Sequence, residues 1–199
     1  MIIGITGGTG CGKTTLLEVA GQLGVQILDC DAIYHHLLQT DPELLQAIDA
    51  AFPGVVEAGQ LQRKKLGTQV FADPAALERL NAITHQAVRQ AVEAQLRPDC
   101  HVAIDAIALF ESGMNRLCQV TVAVTAPMEE RVRRLIERDG VTREYALSRI
   151  AAQKDPQWYQ DRCDYVLVND GDPDTFRRKC LAFFGQLGIM KKNPNGGAL

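Results

Sequence analysis

Near the start of the chain, Thr6-Gly7-Gly8-Thr9-Gly10-Cys11-Gly12-Lys13-Thr14-Thr15 carries the spacing G-x-x-x-x-G-K-[ST] from Gly7 to Thr14. Glycines let successive backbone N–H groups curl around a phosphate, and a following helix adds its own unsatisfied donors and positive dipole end. Lys13 then places a point charge on the outer phosphates, and the Thr14 hydroxyl is suited to a magnesium ion that shares phosphate oxygens. Gly8, Thr9, Gly10, Cys11, Gly12, Lys13, Thr14 and Thr15 are thus the expected nucleotide-binding residues. A plain strand-to-helix turn needs only one or two glycines and has no use for Lys13-Thr14 at this register. The chain carries no Asn-Lys-x-Asp segment of the kind that reads guanine.

Carboxylates and arginines further along supply the rest of a phosphoryl-transfer set. Asp29 and Asp31 close the second apolar run and flank Cys30. In an extended segment residues two apart share a face, so both carboxylates are expected together at a strand end, where open parallel sheets collect ligands. Transfer to an alcohol needs a group that orients the hydroxyl and accepts its proton. Asp31 suits that role, and it suits equally an N-cap for a helix beginning at Ala32. Asp105 ends a later run, where a carboxylate either holds a magnesium-bound water or simply meets solvent. Arg131, Arg134 and Arg138 recur at spacings of three and four and therefore line one helical face, with Arg133 pointing elsewhere. Planar guanidinium forks clamp phosphate oxygens, so Arg134 and Arg138 are the expected lid cations. The alternative is a solvated helix laced by pairs such as Glu130 to Arg134. Cys11, near a helix N-terminus, is either a reactive thiol of lowered pKa or a passive small residue.

These residues require a sheet to hold them. Ile2–Thr6 reads as a strand, Thr14–Leu23 as the helix after the loop, and Val25–Asp29 as the next strand, with Gly24 ending the helix. Strand patterns resume at Val102–Asp105, Val120–Val124 and Tyr165–Val168, with helices over about 128–138 and 142–153 between the last two and a final helix over about 173–186. Five parallel strands with helices between them give a three-layer α/β core. Residues 32–95 show helical patterns, Glu43–Ala51 and Ala75–Gln95 among them, and no convincing strand. The expected organisation is a single domain with a core of 1–31 and 100–186, a helical insertion over 32–99, a lid at about 128–155 and a frayed tail over 187–199.

The bulk numbers agree with such a domain. Hydrophobic residues make up 46% of the 199 and charged residues 23%, and the mean hydropathy of −0.07 shows no membrane bias. A net charge of −3 gives no basic field for nucleic acid. Cys11, Cys30, Cys100, Cys118, Cys163 and Cys180 are scattered without a zinc-type spacing. They read as reduced thiols in a cytoplasm, in a monomer or weak homo-oligomer.

From Ile3 to about Phe176 the chain resembles the dephospho-coenzyme A kinases. The loop resembles that family's T-G-G-I-G-S-G-K-S-T, and Leu28-Asp29-Cys30-Asp31 its I-D-A-D. Gly59–Arg63 through Val70-Phe71 and Leu80-Asn81 to His85 resemble the helical region in which the family holds its substrate. Leu109-Phe110-Glu111 resembles the end of P-L-L-F-E, Arg134 to Gly140 the lid, and Ile150–Gln153 the motif R-I-x-x-Q. The resemblance implies transfer of the ATP γ-phosphate, with Mg2+, to the ribose 3′-hydroxyl of dephospho-coenzyme A, the last step of coenzyme A biosynthesis. Asp31 matches the family's base and Gly10–Thr15 its ATP-binding segment. Arg63 and His85 match positions in the acceptor region, and His85 can equally be a partly buried helix histidine. His35, Gln86, Ile107 and Arg131 stand where the family usually has arginine, proline, proline and glutamine. Trp158-Tyr159 occupy positions where a glutamate and a basic residue are common; Trp158 is either a ligand-stacking ring or a packing residue. The other readings left open are a different P-loop small-molecule kinase and an ATP-binding regulator without transfer.

Overall fold

The structure is a computed structural model, and it describes residues 1–71 and 73–190. Strand β1 (Ile2–Thr6) leads through the glycine loop into helix α1 (Lys13–Gln22), and β2 spans Gln26–Asp29. Four helices follow, α2 (Cys30–Thr40), α3 (Pro42–Ala51), α4 (Arg63–Val70) and α5 (Pro74–Gln95), with the two-residue strands β3 (Val56–Glu57) and β4 (Gln60–Leu61) between α3 and α4. The chain then runs through β5 (Val102–Asp105), β6 (Val120–Thr125), α6 (Met128–Asp139), α7 (Arg143–Ala151), α8 (Pro156–Gln160), β7 (Tyr165–Val168) and α9 (Pro173–Gln186). Four of these helices, α3, α5, α8 and α9, begin at an Asp-Pro pair. In each, the aspartate carboxylate accepts a first-turn N–H and the proline supplies a preset φ where no N–H is needed.

The chain divides into two compact units: residues 1–27, 97–109 and from 115 onward, and residues 28–96 with 110–114. The large parallel sheet has the order β2-β5-β1-β6-β7. Its central strand β1 pairs on both sides, with Ile3 opposite Ala103 of β5 and Val120 of β6. A strand covered on both faces reads as a continuous apolar run, and Ile3 to Thr6 are all buried. Leu16 and Val19 of α1 and Phe176, Phe183 and Phe184 of α9 close over it.

Three sequence expectations change here. The stretch 32–95 does contain strand: β3 and β4 pair antiparallel across Ala58 and Gly59, whose φ values of 48° and 73° are those of a two-residue hairpin turn. Two residues per strand are too few for an alternating pattern to register. The expected tail starts too early. Ile189 is only 2% exposed and belongs to the core around α9, and its N–H bonds Phe184 O at 2.9 Å as Gly188 turns the chain at φ 73°. The remainder of the predicted tail, 191–199, lies outside the described residues. Finally, α2 begins at Cys30, two residues before the predicted start at Ala32.

The second unit has its own core, in which Leu44, Leu45 and Ile48 of α3 meet Leu66 and Val70 of α4 and Leu80 of α5. Among the described residues no helix is long and apolar enough to cross a membrane. Replacing Phe176, 1% exposed in the first unit's core, by alanine should cost about 3–5 kcal/mol of stability. Urea unfolding of the two proteins measures the difference.

Candidate active site

The loop between β1 and α1 is shaped by what lies against it. At Gly7 the chain leaves the sheet with φ +137°, and a Cβ there would stand 2.3 Å from Val124 O of β6. Only glycine allows that approach. At Gly12, φ is +97° and a Cβ would lie 2.2 Å from Asn169 Nδ2. Gly12 is also the N-cap residue of α1 and offers no side chain to the first turn. Among the described residues the amides of Gly10, Gly12, Lys13 and Thr14 have no acceptor in the protein. Four donors at one helix start, left unpaired, form an anion cradle.

The loop's carbonyls, by contrast, are taken up. Arg131 Nε donates to Thr9 O at 2.9 Å, Arg134 Nη1 to Gly10 O at 3.2 Å, and Asn169 Nδ2 to Cys11 O at 2.9 Å. Gln153 Oε1 accepts from the Thr9 N–H at 2.9 Å and from Arg131 Nη2 at 2.7 Å. Helix α6 therefore grips the loop through two of the three arginines that share its face. The third, Arg138, forks onto Asp139 at 2.7 and 3.0 Å, and Arg149 of α7 reaches the same carboxylate at 3.0 Å. These guanidinium groups, Arg138 first, hold the Asp139 carboxyl below its ordinary range. Arg133 points away, onto Glu130 and Glu137. The predicted Glu130–Arg134 lacing is only a long contact of 3.8 Å.

In front of the loop lies a cavity of about 640 Å³. Gly8, Thr9, Gly10, Gly12, Lys13 and Thr14 line one side, Asp105 and Ile107 the strand-end side, and Arg134, Glu137, Arg138 and Arg149 the helical side. Lys13 Nζ lies 2.9 Å from Asp105 Oδ1, both side chains 16% exposed. The Thr14 hydroxyl and the Asp105 carboxylate are hard oxygen donors on one cavity. Among the described residues no cluster of three or more metal-ligating side chains exists. That donor set fits magnesium, which takes one or two protein oxygens and keeps phosphate and water for the rest.

Cys11 does not fit the reactive reading. It is 2% exposed, and burial pushes its thiol above the ordinary value, against the pull of Arg131. Trp158 is not among the cavity's lining residues. Its ring faces the Arg162 guanidinium at 4.5 Å and the Lys154 ammonium at 5.4 Å, and meets the Tyr159 ring edge-on.

The remaining predicted residues belong to the second unit. Asp29, not Asp31, caps α2: its Oδ1 accepts from Asp31 N at 2.9 Å and Ala32 N at 3.0 Å. Asp31 is already inside the helix, so the extended spacing that was to put both carboxylates on one face does not apply. Its side chain is exposed. Arg63 opens α4 with Nη2 3.4 Å from His35 Nδ1, and it lines a groove beside Phe71. His85 lines a different cavity of about 440 Å³ with Gln86, Arg89 and Glu111. Burial lowers the pKa of His85, opposed by the Glu111 charge, so its ring is neutral at pH 7. The fold thus gathers Lys13, Thr14, Asp105, Arg134 and Arg138 in one cavity and puts Arg63 and His85 on separate ones.

Residue reading missed Gln153, Asn169 and Arg149. Gln153 had a signal in the stretch Ile150–Gln153, and Asn169 one in its place directly after the last strand. Arg149 had only its spacing within an arginine-rich helix.

The family model for dephospho-CoA kinase matches residues 1–174. The chain belongs to the dephospho-CoA kinase family. A dephospho-CoA kinase of Deinococcus radiodurans is 38% identical over 192 residues, covering 94% of this chain and 92% of that one. A solved structure from Thermus thermophilus, 35% identical, superposes with a TM-score of 0.78 over 94% of this chain and 97% of that one. A shikimate kinase from Bacteroides thetaiotaomicron shares the fold at 17% identity, with a TM-score of 0.55 over 95% and 99% of the two chains. Family membership makes the chain a phosphotransferase with a P-loop.

With its thiol raised by burial, Cys11 should react with iodoacetamide at pH 8 at least about tenfold more slowly in the native protein than after denaturation. Peptide mass spectrometry after timed quenching reads the rate.

Proposed function

We infer that the protein phosphorylates the ribose 3′-hydroxyl of dephospho-coenzyme A with ATP, giving coenzyme A and ADP. The family match over residues 1–174 carries this reading, and the cradle of unpaired amides beside Lys13 supports it. In this reading the amides of Gly10, Gly12, Lys13 and Thr14 bind the β- and γ-phosphates, and Lys13 exchanges its contact with Asp105 for phosphate oxygens as ATP enters. Arg134 and Arg138, on the opposite side of the cavity, offset the charge that spreads over the transferring phosphoryl group. Thr14 and Asp105 would hold magnesium, which when bound neutralises phosphate charge.

Asp31 is the proposed base, orienting the acceptor hydroxyl and taking its proton as the O–P bond forms. Because Asp29 already satisfies the helix start, the Asp31 carboxylate is not required as a cap. Arg63 and His85 are proposed acceptor contacts: Arg63 offers a permanent charge to the acceptor's diphosphate, and the neutral His85 ring offers a hydrogen bond. A cytosol, which would keep the six free cysteines reduced, is the compartment we assign. No nucleic-acid or membrane partner is invoked, and we take the enzyme to be a monomer or weak homo-oligomer.

Incubation with Mg-ATP and a panel of alcohol acceptors should yield phosphorylated dephospho-coenzyme A in preference to shikimate, gluconate or nucleosides. Turnover of another acceptor with none of dephospho-coenzyme A overturns the assignment. Asp31→Asn should keep ATP affinity and lose about two to four orders of magnitude in transfer rate. Near-normal turnover would remove Asp31 from the reaction.

A further inference from the structure

The surroundings of Arg131 are unlike those of any other arginine on α6 or α7. It is 6% exposed. Its two hydrogen-bond acceptors, Thr9 O and Gln153 Oε1, are both neutral. Among the described residues no carboxylate forms an ion pair with it, whereas Arg133, Arg134, Arg138, Arg143 and Arg149 each have one. A guanidinium keeps its charge at every working pH, and a buried charge without a counter-charge is costly to a folded protein.

The position of the charge suggests what balances it. A Cβ on Gly8 would lie 2.5 Å from Arg131 Nη2, and one on Gly10 would lie 2.9 Å from the Arg131 carbonyl oxygen. The side chain therefore lies directly behind the wall formed by Gly8 to Gly10, and the face of that wall lines the nucleotide cavity. With little water between, a positive charge there acts on phosphates across one thickness of backbone, in a medium where Coulomb interactions are stronger than in bulk. Gln153 completes the arrangement: its one carbonyl oxygen accepts from both Arg131 and the Thr9 amide, so guanidinium, amide and loop peptide form a closed ring.

We propose that Arg131 is a positioning residue for the nucleotide polyphosphate: it fixes the Thr9 peptide and stores a buried positive charge that is balanced only when the phosphates of ATP fill the cradle. This rests on the ATP site assigned above. The charge is a cost to the empty protein and a gain to the loaded one, so removing it should move stability and affinity in opposite directions. An arginine kept only for packing would move them together.

The test is Arg131→Met, which keeps the length and drops the charge, beside Arg131→Gln, which drops the charge and keeps a hydrogen-bond donor, and Arg131→Lys, which keeps the charge without the fork. Calorimetric titration with Mg-ATP and with AMP, and thermal melts without ligand, give the readouts. Binding of ATP by the unaltered protein comes first, since its failure would remove the site itself and not this role for Arg131. Arg131→Met and Arg131→Gln should bind ATP about 30-fold or more weakly and AMP less than about threefold more weakly. Their ligand-free melting temperatures should be unchanged or higher. Arg131→Lys should retain more ATP affinity than either. Equal loss for ATP and AMP, unaltered ATP affinity, or a lower ligand-free melting temperature in both neutral variants would overturn the proposal.

Discussion

A loop that aims its amides at a ligand must leave those donors unpaired in the empty state, and little remains inside it to give it shape: here one bond, from Cys11 N to Gly8 O at 3.3 Å, closes across the loop. Its shape has to come from behind. Here the carbonyl sides of the Thr9, Gly10 and Cys11 peptides are bonded by Arg131, Arg134 and Asn169, while Gln153 holds the Thr9 amide. The supports come from three places far along the chain: the helix after β6, the end of the helix pair it belongs to, and the end of β7. Parallel β-α topology brings them together because all these segments leave the sheet at the same edge.

That arrangement explains several otherwise separate features. Glycine is needed at Gly7 and Gly12 because the loop is pressed against β6 and Asn169, as much as because a phosphate must approach. The arginines of α6 divide their labour along one face: Arg131 and Arg134 are committed to loop carbonyls, and Arg138 stays with Asp139 and Arg149 at the cavity edge. The burial of Cys11 follows too. A residue whose carbonyl is bonded by Asn169 and whose side chain joins the core around α1 and α9 is part of the support, and its thiol is buried with it.

The large elements were legible in the sequence for a physical reason. A strand buried on both faces must be apolar throughout, so β1, β5 and β6 declared themselves as short β-branched runs; β7, a half-buried edge strand, shows the same kind of run. Helices α3, α5 and α9 declared themselves by their apolar period, whereas the five-residue α8 is too short to show one. What escaped was short or shared. The β3–β4 hairpin has two residues per strand, too few to alternate, and its turn uses Ala58 at positive φ, where glycine or asparagine would have been the cue. The start of α2 was misplaced because Asp29 and Asp31 are equally good caps by residue type, and only the backbone path after β2 gives the capping bonds to Asp29.

By itself the sequence determined the chemistry available: a phosphate cradle with its lysine and threonine, carboxylates at two strand ends, and arginines on one helical face. Spacing within a single element is enough for that, since the periods of strand and helix set which side chains point together. Tertiary structure alone decided which of those groups are partners. The pairing of Lys13 with Asp105, the bond of Arg131 to Thr9, and the joining of Gln153 and Asn169 to the loop link residues about 90 to 160 positions apart. No local pattern encodes such distances; they exist only once the parallel sheet has closed.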